Sequence, residues 1–130
     1  MVKQARKRVV SEARDSREVK LRVYAGTVIA MGPGKADLLA AIASTGSISG
    51  AGRALGMSYK RCWDLVETMN ESFVEPLVAT AAGGSSGGGA VLTPLGERVL
   101  VDYQTLVEAA WTAVAPQLHK FRRHLKTSAA

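Results

Sequence analysis

From Val19 the chain alternates apolar and polar positions, with Val19, Leu21, Val23 and Ala25 on one side and Lys20, Arg22 and Tyr24 on the other. Gly26 interrupts the alternation and Val28 to Met31 resume it, which predicts a β-hairpin or a bent strand. At Gly32 the period changes. Pro33 suits a first helical turn, Leu38, Leu39 and Ile42 share a face three and four residues apart, and Gly46 stops the helix. Ser47 then caps a short helix through Leu55 whose buried face is Ile48, Ala51 and Leu55, while Gly52 and Ala54 are small enough for a second helix to approach closely. Gly56 takes a positive φ at little cost, and Ser58 caps a longer helix to about Ser72 that buries Cys62, Leu65, Val66 and Met69.

Further on, Leu77 to Thr80 and Ala90 to Thr93 are short strand-like pieces on either side of "GGSSGGG", a pattern that predicts an antiparallel hairpin with a glycine tip. Thr93 and Pro94 open a long helix along which Leu95, Val99, Tyr103, Leu106, Ala110, Trp111 and Val114 recur at helical spacing. So long an apolar stripe exceeds what one small domain buries, so it predicts a two-fold homodimer formed by pairing these helices. Pro116 is expected to kink or interrupt the helix, with Leu118, Phe121 and Leu125 facing inward beyond it and a basic outer face. The fold class is mainly α with a small antiparallel β-hairpin wing: a winged helix-turn-helix with a long C-terminal dimerisation helix. Residues 1–18 read as a basic, flexible arm, 19–93 as the winged helix-turn-helix with its wing at about 77–93, and 94–126 as the dimerisation helix with a basic end.

Composition sharpens this. A chain of 130 residues with 47% apolar content is one folded domain, and a net charge of +6 with a pI near 9.8 points to a polyanionic partner. No run approaches the roughly 18 apolar residues of a membrane span, and the first twenty residues lack the apolar stretch of a secretory signal, so a cytoplasmic protein without membrane contact is expected. Enzymatic readings fail. "AMGPGKAD" resembles a phosphate-binding loop, but a P-loop ending at Lys35 needs glycine at Ile29 and a hydroxyl at Ala36. His119 and His124 are off the i, i+4 spacing of a helical metal site, and the lone Cys62 sits within an apolar stripe. Neither a catalytic residue, a metal nor a cofactor is expected.

What remains is a pair of helices around a tight glycine turn, the second opening with hydroxyls, an aromatic and cations. That is the layout of a DNA-binding helix-turn-helix, whose second helix presents its N-terminal residues to base edges in the major groove. The predicted contacts to double-stranded DNA are Ser47, Ser49 and Arg53 on the first helix, Ser58, Tyr59, Lys60, Arg61 and Asp64 on the second, and Gly84, Ser85, Ser86 and Gly87 on the wing. Trp63 is expected to pack rather than touch a base.

The segments "GSIS", "RALGMSYKRCWDLVETMN", "EPLV" and "GGSSGGGAVLTPLG", within Lys35 to Leu100, resemble the N-terminal winged-helix domain of the ModE family of molybdate-responsive transcription regulators. The resemblance covers about half the chain, and implies a relation to the DNA-binding domain of LysR-type regulators, dimerisation through terminal helices, and recognition by Ser58, Tyr59, Lys60 and Arg61. It also implies a role in regulating molybdenum-related genes. Full-length members carry molybdate-binding β-barrel domains; with no strand-rich segment after the long helix, a stand-alone relative without molybdate sensing is expected. The alternative is a winged-helix interaction module that pairs with another regulator without reading DNA itself.

Overall fold

The computed structural model describes residues 19–81 and 88–126. The arm at 1–18 and the wing tip, with Gly84, Ser85, Ser86 and Gly87, lie outside the described residues. Two short strands, β1 (Val23–Ala25) and β2 (Val28–Met31), pair antiparallel around Gly26 at φ 64°. Three helices follow: α1 (Pro33–Thr45), α2 (Ile48–Leu55) and α3 (Tyr59–Ser72). A second antiparallel pair, β3 (Val78–Thr80) and β4 (Ala90–Leu92), leads to α4 (Pro94–Phe121) and a 3₁₀ turn at Arg122–His124. This mainly helical chain with a wing-like hairpin and a long C-terminal helix has a winged-helix-like fold.

Local chemistry sets the element ends. Gly46 and Gly56 close α1 and α2 in the left-handed region at φ 79° and 69°. The side chains of Ser47, Ser58 and Thr93 accept from the backbone N–H groups of Gly50 (2.9 Å), Arg61 (3.1 Å) and Gly96 (2.9 Å), satisfying donors that each helix start leaves open. The core then forms where the apolar faces meet. Leu38, Leu39 and Ile42 of α1, Ile48 and Ala51 of α2, and Cys62, Val66 and Met69 of α3 are buried together with Met31, Leu77, Val78 and Ala90.

Several expectations are corrected. The first strand begins at Val23 rather than Val19, because the Leu21 carbonyl is taken by the Tyr103 hydroxyl at 2.6 Å instead of a strand neighbour. All of β1 is exposed, so its alternation does not face the core. Gly52 does allow close approach: a Cβ there would lie 2.9 Å from the Met57 carbonyl oxygen and 3.2 Å from the Cys62 sulfur. Ala54, by contrast, is exposed and has no such role. Pro116 does not interrupt α4, which runs unbroken to Phe121; a proline removes one N–H bond, and neighbouring turns carry the helix past it. Phe121 and Leu125 are exposed at 58% and 51% instead of facing inward.

Candidate nucleic-acid interface

The α2–α3 pair is held rigid from beneath. Cys62 is fully buried against the Gly52 backbone, Val66 and Met69 continue the stripe, and a backbone bond from Met57 N–H to the Gly52 carbonyl (2.9 Å) locks the turn. Because the buried stripe starts at Cys62, the residues before it face outward: Ser58, Tyr59, Lys60 and Arg61 are all exposed. Tyr59 is 56% exposed, and its ring meets Trp63 edge-on with centroids 6.2 Å apart and planes at 78°. Trp63 is half-buried and packed on the core, so it supports the Tyr59 ring from one side. Lys60 Nζ lies 3.4 Å from Asp64 Oδ2 one turn on, both largely exposed, a weak surface pair that leaves the ammonium free to exchange partners.

Ser58 spends its lone pair on the cap but keeps its hydroxyl proton for donation. Ser47 does the same for α2 and lies 3.5 Å from the Ser49 hydroxyl. Arg53 is exposed in the last turn of α2. The predicted residues of α2 and α3 thus all sit on these two helices and around their capping turns, and the start of α3 presents donors, two cations and an aromatic from a fixed backbone. Such a surface suits hydrogen bonding to anions and to base edges.

Two residues that composition and periodicity did not single out shape this region. Asn70, near the end of α3, accepts from the N–H groups of Leu77 (2.8 Å) and Val78 (3.1 Å) with Oδ1 and donates from Nδ2 to the Val78 carbonyl (3.2 Å). It therefore straps the root of the β3–β4 hairpin to α3; the Met-Asn pair at this point was its only signal. Lys35, in the first turn of α1, is half-buried. Burial, then the Arg61 guanidinium, hold its ammonium below the ordinary lysine range. Burial raises the Cys62 thiol, with Arg61 opposing, as expected of a packing cysteine rather than a reactive one.

The stripe expected for dimerisation divides in two. Leu95 and Val99 pack against the chain's own core and Tyr103 is buried in it, 6% exposed. Ala110, Trp111 and Val114 are half-buried and Leu106 is 50% exposed. Among the described residues no group of three or more His, Cys, Asp or Glu could hold a metal ion, and no helix is long and apolar enough to cross a membrane.

No protein-family model matches the chain. It is 48% identical over 95 residues to the molybdenum-pterin-binding protein MopB of Rhodobacter capsulatus, covering 73% of this chain and 34% of that protein. It is 46% identical over 69 residues to the molybdenum transport protein ModE of Azotobacter vinelandii, covering 53% of this chain and 26% of that one. With the DNA-binding transcriptional dual regulator ModE of Escherichia coli strain K12 the identity is 43% over 76 residues, covering 58% and 29%. The chain spans between 26% and 34% of the length of these relatives. Over that part, it is homologous to ModE and Mop proteins.

Proposed function

We propose that the protein is a sequence-specific DNA-binding transcriptional regulator that acts as a homodimer, of the ModE N-terminal type and without enzymatic activity. The observation that carries this reading is the start of α3: Ser58, Tyr59, Lys60 and Arg61 stand exposed on a backbone pinned by buried Cys62, one glycine turn after α2. Lys and Arg contacts to phosphates supply affinity, while the same turns of α3 set register and choose bases. Gly84 to Gly87 and the basic residues of 1–18, outside the described residues, would add contacts to the DNA backbone or minor groove and to phosphates.

Exposed apolar residues Leu106 and Phe121 on α4, with Leu125 just beyond it, support pairing of two copies through that helix. Pairing would set two α3 helices on half-sites roughly 34 Å apart. The names of the relatives, a molybdenum transport protein and a molybdenum-pterin-binding protein among them, support regulated genes concerned with molybdenum. The test is a salt-titrated binding curve on the native upstream duplex and a scrambled one. A preference for the native duplex that persists as salt rises supports the regulator; equal binding lost together with salt would sink it and favour the interaction module.

A further inference from the structure

Two rings meet one helical turn apart at the start of α3. Tyr59 opens the helix and Trp63 stands four residues on; a helical side chain leans back over the turn before it, which carries the Trp63 ring toward Tyr59. Their centroids lie 6.2 Å apart with the planes at 78°, the edge-to-face arrangement that aromatic pairs favour. The two ends of this contact differ. Trp63 is half-buried and packed against the core, whereas Tyr59 is 56% exposed. The anchored ring therefore fixes the exposed one. The pair alongside behaves otherwise, since Lys60 Nζ and Asp64 Oδ2, 3.4 Å apart and both largely exposed, exchange partners with water. The backbone under Tyr59 is held as well: the Ser58 side chain accepts from the Arg61 N–H at 3.1 Å, and the Ser58 carbonyl accepts from the Cys62 N–H at 3.1 Å. An exposed tyrosine with free rotamers loses entropy when a ligand immobilises it, and a ring already held loses less.

We propose that Trp63 is a positioning residue that holds the Tyr59 ring against the C5 methyl of a thymine in the major groove, so that Tyr59 selects that base by apolar contact. This rests on the DNA-binding reading and deepens it. The choice of thymine follows from chemistry. The hydroxyl of Ser58 and the cations of Lys60 and Arg61 bond to polar atoms on base edges and phosphates, whereas an aromatic ring finds its match in the one methyl group that a base pair shows in the major groove. Trp63 touches no base and acts through Tyr59.

The experiment measures binding to the native duplex, a scrambled duplex and a series of native duplexes in which each thymine in turn is replaced by deoxyuridine, which deletes only the C5 methyl. Wild type should lose about fourfold in affinity at one thymine of a half-site, as expected for one buried methyl group. Tyr59→Phe keeps the ring and should keep that difference, while Tyr59→Ala should bind the thymine and deoxyuridine duplexes alike. Trp63→Leu and Trp63→Met retain apolar packing against the core but remove the ring, and either suffices if the other fails to fold. In these variants the thymine-to-deoxyuridine affinity ratio should fall toward one while the scrambled-duplex affinity stays near wild type, and Trp63→Phe should restore the ratio. A Trp63 that only packs would shift the thermal midpoint, or all duplexes together, and leave the ratio intact; that result overturns the positioning role. A Tyr59→Phe loss equal on every duplex would put the hydroxyl on a phosphate and overturn the thymine contact. So would a wild type indifferent to every replacement: if it still prefers the native to the scrambled duplex, the contact alone fails, and if it does not, the regulator reading fails with it.

Discussion

The Asn70 strap offers the sharpest test of how the hairpin is tied to α3. Asn70→Ala removes three hydrogen bonds at once, to Leu77 N–H at 2.8 Å, Val78 N–H at 3.1 Å and the Val78 carbonyl at 3.2 Å. Leu77 and Val78 are buried, at 0% and 3% exposure, so their backbone groups gain little water in exchange. At about 1 kcal/mol for each bond, with part of the desolvation cost left behind, the loss should be about 2–4 kcal/mol. Asn70→Asp should cost less, because its carboxylate still accepts from both N–H groups and gives up only the donor to Val78. Urea unfolding read by far-ultraviolet circular dichroism measures this: the midpoint should fall for Ala more than for Asp, with the denaturant slope unchanged. An Asn70→Ala protein within about 0.5 kcal/mol of wild type, the range of an ordinary surface change, would refute the strap.

Tyr103→Phe deletes the 2.6 Å bond to the Leu21 carbonyl and should cost about 0.5–1.5 kcal/mol at neutral pH. Burial first, then Asp37, raise the Tyr103 phenol above its ordinary value against an opposing Arg22, so its contribution is present below about pH 10 and lost as pH rises through the higher folded value. The alkaline fall in stability should therefore be shallower in Tyr103→Phe, and identical alkaline limbs would count against the assignment. Lys60→Ala should weaken native-duplex binding by about 1–3 kcal/mol if Lys60 reads a base, and the scrambled duplex less; equal losses would make it a phosphate contact. Leu106→Glu with Phe121→Glu, both at exposed positions, should leave helicity unchanged and shift sedimentation from dimer to monomer. A persisting dimer would place the interface elsewhere.

Much of this fold was written in short-range chemistry. Caps and stops act within three or four residues, so Ser47, Ser58, Thr93, Gly46 and Gly56 mark helix ends that the chain adopts. The stripe of Cys62, Val66 and Met69 likewise fixes which side of α3 is buried and hence which residues before it are presented. Composition added the positive charge that makes an anionic partner the natural expectation.

The decisions made in three dimensions involve partners far apart along the chain, for which no periodic pattern exists. Tyr103 follows the spacing of the apolar α4 stripe, yet its hydroxyl reaches back 82 residues to Leu21, drawing it into the chain's own core and delaying the first strand. Ala54 looks as suited as Gly52 to a close contact, but only Gly52 lies where the Met57 carbonyl and Cys62 converge. The sequence by itself thus determined the helix starts, the glycine stops of α1 and α2 and the face α3 turns outward, because those depend on local hydrogen bonds and helical period. Only the tertiary structure decided that Asn70 ties the hairpin to α3, because that depends on how the hairpin root packs against the helix.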